Sequence, residues 1–196
     1  MHRTMNSGIR IGIALAIVAG TGCAALDEAA QPSRTQTATD AYDGATIVRQ
    51  PAVIAGTNYT GDWNALGFEW TSKFPNRVLL SAGTRGVIKV TDLVLDIDGE
   101  PATVQIASEL TDYGDAKATE RWSMRRFEIS WADFTRMASA RTVRMRIVGT
   151  NEMFVTSFGS DHVGAPVNAT MPAFVAKVRK LRGEISEPRE PTSGDN

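Results

Sequence analysis

The sequence is poor in the residues that build cross-linked or reactive sites. Its 196 residues include one cysteine and two histidines. One cysteine excludes an intramolecular disulfide, and two histidines are too few for a histidine-rich metal site. The longest apolar run, residues 11–19, is shorter than the roughly 20 residues of a transmembrane helix. Length and composition are those of a globular protein with one domain.

The sequence also lacks an excess of charge of either sign. It has 21 basic and 22 acidic residues, for a formal net charge of −1. Residues 1–22 hold two arginines and no acidic residue, so the remainder has 19 basic residues (21 less 2) against 22 acidic ones. Nucleic-acid binding depends on neutralising phosphates with many basic side chains. We therefore expect no nucleic-acid partner.

The N-terminus has the pattern of an export signal. Arg3 and Arg10 precede the apolar run 11–19, and small residues follow at positions 20–22. A helix packed on the domain would need one polar face, but this run is apolar all round. The pattern predicts that residues 1–22 are a signal peptide.

Cys23, the only cysteine, directly follows the small residues Thr21 and Gly22. This arrangement resembles the lipobox of bacterial lipoproteins, although Gly20 stands where that family usually has leucine. The resemblance implies that the signal is cut before Cys23. The cysteine thiol would then carry a diacylglycerol, and its new amino group would be acylated with a fatty acid such as palmitate.

Several acyl chains together hold a protein on a membrane almost permanently, since each buried methylene contributes about 0.8 kcal/mol. In lipoproteins of enteric-type bacteria an aspartate after the cysteine commonly signals retention in the inner membrane, and this chain has Ala24. The resemblance therefore implies a bacterial cell-envelope protein anchored in the outer membrane and facing the periplasm. The alternative is a cut after Ala25, which would release a soluble periplasmic protein that begins at Leu26.

Composition divides the rest of the chain into three parts. Residues 23–46 are rich in Ala, Thr, Gln, Ser and Asp, which is typical of a flexible tether. Residues 184–196 form a polar tail for which we expect disorder. The apolar residues lie between them and predict a folded domain at 47–183.

The clearest structural signals lie in residues 122–149. Apolar residues alternate in two segments and recur at helical spacing in the segment between them: Phe127 and Ile129, then Trp131, Phe134 and Met137, then Val143, Met145 and Ile147. This predicts a strand, a short helix that ends near Ala140, and a second strand. Ser130 and Asp133 fit a capping box at the start of the helix.

The remaining patterns predict a mainly β fold. Roughly seven to nine short strands are separated by turn residues. Asp98-Gly99 predicts a hairpin whose return strand is Thr103–Ala107. Thr170 is the expected N-cap of a last helix, with Pro172 in its first turn. The predicted fold is an antiparallel β-sandwich with a short inserted helix and a C-terminal helix, and the alternative is an α+β layer whose C-terminal helix covers one sheet face.

The candidates for catalysis are few. His162 lies close in sequence to Ser157, Ser160 and Asp161, so a serine hydrolase is conceivable, but the chain has no G-x-S-x-G motif. The stronger interpretation of His162 is a solvated loop residue. Asp112 and Asp115 are interpreted as solvated acids of the long loop 108–120. We therefore predict no catalytic residue.

A partial calcium-loop pattern, D-x-D-G, is formed by Asp96, Asp98 and Gly99. Val94 and Gln105 occupy the first and last ligand positions of the full pattern, where oxygen ligands are needed. A hairpin turn explains the same residues better. No metal ligand and no cofactor is predicted.

The four tryptophans divide into two pairs. Trp70 and Trp131 follow the apolar periodicity and are expected in the core. Trp63 and Trp122 flank loops, where exposed rings would offer a surface for a ligand. The stronger interpretation gives these two rings no role in binding a ligand.

Arg144 and Arg146 alternate with apolar residues in the last predicted strand, so their side chains are expected on the face opposite the core. Six arginines lie in or beside the two strands of residues 122–149, where one face could align them: Arg121, Arg125, Arg126, Arg141, Arg144 and Arg146. Such a face suits anionic lipid or an acidic envelope protein. The competing interpretation is a solvated face on which arginines pair with glutamates across strands: Glu109, Glu120 and Glu128.

These observations favour a membrane-anchored envelope lipoprotein with a non-enzymatic role in binding or assembly. The alternative is a periplasmic hydrolase that acts on envelope material. The hydrolase would need a concave site in which His162 or Asp112 meets other catalytic groups.

Overall fold

The computed structural model describes residues 34–57, 62–114 and 121–184. Within these ranges it contains eleven strands and two helices. The strands are β1 (Gln36–Thr39), β2 (Thr46–Thr57), β3 (Trp63–Thr71), β4 (Arg77–Arg85), β5 (Val90–Ile97), β6 (Glu100–Ala102), β7 (Val104–Ile106), β8 (Asp112–Tyr113), β9 (Trp122–Ser130), β10 (Val143–Gly149) and β11 (Met153–Phe158). The helices are α1 (Trp131–Ala138) and α2 (Pro166–Leu181).

The strands form two antiparallel sheets. The larger sheet has the order β1-β2-β3-β4-β9-β7, with β8 also paired to β9, and the smaller sheet has the order β11-β10-β5-β6. Their inner faces share one hydrophobic core, to which Leu80 and Phe127 belong from the larger sheet and Leu95 and Met145 from the smaller. The predicted β-sandwich with two helices is confirmed.

Both helices complete this core. On β3, the ring of Phe68 lies 5.0 Å from that of Phe134 in α1 and 5.6 Å from that of Phe174 in α2. The rings of Phe134 and Phe174 are 5.4 Å apart. The smaller sheet has fewer strands than the larger one, so it leaves part of the inner face of the larger sheet uncovered. Helix α2 packs on β2, and the two helices cover this remaining surface, which would otherwise meet water.

Helix α1 begins as the sequence predicts. The Ser130 hydroxyl oxygen accepts a hydrogen bond from the backbone N–H of Asp133 at 3.0 Å. The helix buries Trp131, Phe134 and Met137, which follow one another at intervals of three residues and therefore share one face.

The predicted start of helix α2 was wrong. The helix begins at Pro166, and Pro172 lies inside it. Both prolines fit a first helical position, where a missing N–H costs nothing, so the sequence does not distinguish them. Pro172 is exposed, where water can satisfy the carbonyl that the ring leaves without a partner.

The hairpin at Asp98-Gly99 is present, with φ of 53° and 88° at the two turn residues. Positive values at both positions are what a type I′ turn requires. The predicted return strand Thr103–Ala107 was wrong, because β6 returns along β5 while β7 pairs with β9 in the other sheet. The chain therefore crosses between the sheets at Thr103.

The folded part begins earlier than the predicted boundary at residue 47. Strand β1 lies inside the segment 23–46 that was predicted as a tether, and it pairs with residues 46–49 of β2. An edge strand can form through backbone hydrogen bonds alone, so its sequence, QTAT, carries no apolar signal.

Cys23, the predicted signal peptide and almost all of the predicted tail lie outside the described residues. Neither of the two described helices is long and apolar enough to cross a membrane.

Candidate functional site

Arg144 and Arg146 lie on the outer face of the smaller sheet, and both are exposed. Their cross-strand neighbours are Asp96 and Ser157 for Arg144, and Val94 and Val155 for Arg146. In the part of the chain that the structure describes, neither guanidinium forms an ion pair. We call this surface the Arg144/Arg146 face.

Two groups beside these arginines are Asp96 and Met153. The Asp96 carboxylate accepts a hydrogen bond from the backbone N–H of Gly99 at 2.8 Å, inside the hairpin turn. One guanidinium nitrogen of Arg146 lies 4.0 Å from the sulfur of Met153, whose side chain is exposed. Arg146 therefore lies beside exposed apolar surface, and one of its donors makes a long contact with the Met153 sulfur.

The prediction that six arginines share one face was wrong. Arg126 belongs to β9 in the larger sheet, whereas Arg144 and Arg146 belong to β10 in the smaller one. Helix α1 carries the chain from one sheet to the other, and periodicity alone does not reveal such a change of sheet. Glu128 pairs with Arg77 on the neighbouring strand at 3.3 Å, so it does not neutralise the Arg144/Arg146 face.

Arg125 points into the sandwich, where its residue is 9% exposed. Its guanidinium donates hydrogen bonds of 2.9–3.2 Å to backbone carbonyl oxygens at the start of β5 and in the loop after β7: Val90, Thr91, Ser108 and Glu109. Its position two residues before Phe127 in an alternating strand would have placed it inward. The side chain holds the loop and is not available to a ligand.

His162 and Ser157 line one cavity of about 420 Å³, together with Gly56 and Pro166. In the described residues no hydrogen bond joins Ser157 to His162. The Asp161 carboxylate pairs with Arg141 at 3.4 Å. Serine and histidine thus share a cavity but are not arranged as a nucleophile, base and orienting acid.

Asn168 fixes the loop that carries His162, a role that no sequence pattern indicated. Its side-chain oxygen accepts a hydrogen bond from the N–H of Gly159 at 2.9 Å. Its side-chain nitrogen donates to the carbonyl oxygens of Gly159 at 2.9 Å and of His162 at 2.7 Å. Gly159 has φ of 117°, a conformation that favours glycine.

The partial calcium-loop residues serve the hairpin turn. The Asp98 carboxylate accepts hydrogen bonds from the backbone N–H groups of Thr142 at 2.8 Å and Arg141 at 3.3 Å. Among the described residues there is no group of three or more His, Cys, Asp or Glu that is arranged to hold a metal ion.

Trp70 and Trp131 are buried, as the sequence predicts, at 2% and 8% exposure. Trp63 and Trp122 are half-buried on the outer face of the larger sheet, where they line a second cavity of about 420 Å³. The other residues that line it are also apolar: Ala52, Ile54, Ala65 and Met124. We call this cavity the tryptophan cleft.

No known protein-family model matches the sequence, and no curated protein matches it.

Proposed function

We propose that the protein is a lipid-anchored component of a bacterial cell envelope that binds an anionic partner without catalysing a reaction. Its anchor is Cys23, and its folded domain faces the periplasm from the outer membrane. The support for the anchor is the position of the only cysteine, directly after a charged, apolar and small-residue signal pattern.

The observation that carries the binding role is the Arg144/Arg146 face. The two side chains are two residues apart on one strand, a spacing of about 6.7 Å. Arginine can donate two parallel hydrogen bonds to a phosphate or carboxylate, so a neighbouring pair of arginines suits an anionic surface. Since neither guanidinium has an ion-pair partner in the described residues, binding would not first have to break such a contact.

The lipid anchor would increase binding through the Arg144/Arg146 face. A tethered domain meets the membrane surface at a high effective concentration, so even weak contacts to anionic headgroups become occupied. An acidic region of a neighbouring envelope protein offers the same charge.

The test is the double substitution Arg144→Gln and Arg146→Gln in the full, lipidated chain. Both positions are exposed, so the fold should persist. Association with anionic lipid or an acidic partner should weaken, and the loss should be largest at low salt, where charges are least screened. The measurement is co-purification from native membranes at low and high salt.

A matched control replaces the same two residues by lysine. Lysine keeps the charge but removes the planar fork, so it should restore salt-dependent association and lose only the part that depends on paired hydrogen bonds. Unchanged co-purification in the glutamine variant at both salt concentrations would remove the proposed role of this face.

The second candidate function is a periplasmic hydrolase, and the shared cavity of Ser157 and His162 is the observation that favours it. A hydrolase of this kind requires a nucleophilic serine. A serine-directed organophosphate probe that labels the wild-type protein but not Ser157→Ala would support the hydrolase over the binding protein.

A further inference from the structure

The tryptophan cleft lies on the larger sheet, away from the Arg144/Arg146 face. Its floor consists of small residues on two neighbouring strands, where Ala65 on β3 pairs with Gly83 on β4. One wall comes from Ile54 on β2, and the opposite wall comes from Trp122 and Met124 on β9. Small residues flanked by large ones on both sides form a trough across the sheet.

Two close contacts fix the shape of the tryptophan cleft. A Cβ atom on Gly67 would lie 2.9 Å from the backbone nitrogen of Ala52, so the bulge of β2 between Gln50 and Val53 passes directly over this glycine. A Cβ atom on Gly83 would lie 3.2 Å from the side-chain carbons of Met124, which leans over it.

The ring of Trp122 is held in place as well. A Cβ atom on Gly114 would come within 2.3 Å of the indole nitrogen, so the backbone at Gly114 lies against the ring. An apolar wall held by its surroundings is typical of a preformed ligand site, and a volume of about 420 Å³ falls within the usual range for small-molecule sites.

Charges of both signs lie beside the cleft, and Arg85 is the positive one on the β4 side. Arg85 pairs directly with Trp122 in the register of β4 and β9, so both side chains project from the same face. Arg85 is exposed and has no ion-pair partner in the described part of the chain. Asp112 also reaches this face, but it pairs with Met124 from the far side of β9, so its strand lies about 10 Å from β4.

We propose that the tryptophan cleft binds the hydrocarbon chain of a single-chain anionic amphiphile, such as a free fatty acid, and that Arg85 binds its carboxylate. The six residues that line the cavity are all apolar, so they match an alkyl chain. A sugar is a poor fit, because its hydroxyl groups would lose their water without gaining partners. The unpaired arginine beside the apolar trough selects an acid over a neutral chain.

The test uses the Cys23→Ser protein in the form that is released from the membrane, which carries no acyl chains and therefore needs no competing detergent. Isothermal titration calorimetry is performed with two probes of equal chain length, decanoate and 1-decanol. Decanoate should bind about tenfold more tightly than decanol, the difference expected from one charge-assisted hydrogen bond.

Two kinds of variant distinguish binding of the hydrocarbon chain from binding of the carboxylate. Ala65→Leu fills the floor of the trough and should weaken both probes at least about tenfold. Arg85→Gln should weaken decanoate about tenfold and leave decanol within about twofold. Lys89→Gln removes an exposed charge that does not line the cleft and should change neither affinity. If Ala65→Leu does not fold, Ile54→Asn at the 41% exposed wall replaces it.

Three results would overturn the proposal. The first is that decanoate does not bind the Cys23→Ser protein with its cleft unchanged. The second is that the cleft-filling variant binds decanoate as tightly as that protein does. The third is that the protein binds vesicles of equal parts phosphatidylglycerol and phosphatidylcholine but not monomeric decanoate, which would assign the interaction to a bilayer surface. Because the Arg144/Arg146 face is on the other sheet, its failure as an anion-binding surface would leave these results unaffected.

Discussion

Arg125 is a charged side chain inside the sandwich whose hydrogen-bond partners are all backbone carbonyl oxygens. A buried guanidinium has lost its contacts with water, so its donors must find partners inside the protein, and backbone carbonyl oxygens are those partners here. The arrangement joins β9 to the start of β5 and to the loop at residues 108–109. One side chain therefore connects the two sheets.

Replacing Arg125 by alanine should lower the free energy of unfolding by about 3 kcal/mol, because it leaves buried carbonyl groups without donors. Arg126→Ala is the matched control, since its side chain is exposed on the opposite face and its loss should cost less than about 0.5 kcal/mol. Urea denaturation of both variants measures the difference. Equal stabilities of the two variants would contradict the structural role assigned to Arg125.

At the scale of elements, helix α1 is the part that the sequence predicts best. Its cap, its apolar spacing and the alternating strands on either side are local signals, and local signals are read without knowledge of the fold. What the sequence did not show is that Phe134 meets Phe68 and Phe174, since those contacts join residues from three distant segments. The same reasoning explains the mistaken partner of residues 104–106, because alternation predicts a strand but not the sheet to which it pairs.

Phe134→Ala should lower the free energy of unfolding by about 3–5 kcal/mol, because the ring is fully buried among aromatic partners and its loss leaves a cavity. His162→Ala, in a half-buried loop residue, should change stability by less than about 0.5 kcal/mol. Chemical denaturation followed by tryptophan fluorescence provides both values. A mild effect at Phe134 would mean that the helix does not complete the core.

At the scale of the whole molecule, the fold class followed from the sequence and the candidate sites did so only in part. Turn residues between short apolar runs predicted the sandwich, and the alternation of residues 143–147 placed Arg144 and Arg146 outward. The tryptophan cleft could not be predicted, because it depends on the pairing of Ala65 with Gly83 and on the bulge of β2 over Gly67. No sequence pattern singled out Arg85, because its place beside the cleft follows only from its pairing with Trp122.

The proposed position of the molecule in the cell depends on Cys23. If the lipobox-like signal is processed as its resemblance implies, the mature chain begins at this cysteine and carries acyl mass. Intact-mass analysis of the membrane fraction should detect that species, because several acyl chains hold the protein on the membrane throughout fractionation. Cys23→Ser removes the thiol that accepts the diacylglycerol, so the variant should be misprocessed or released from the membrane. An unacylated, soluble wild-type product that begins near Leu26 would show that ordinary signal peptidase cuts after Ala25, and the anchor would then have to be abandoned.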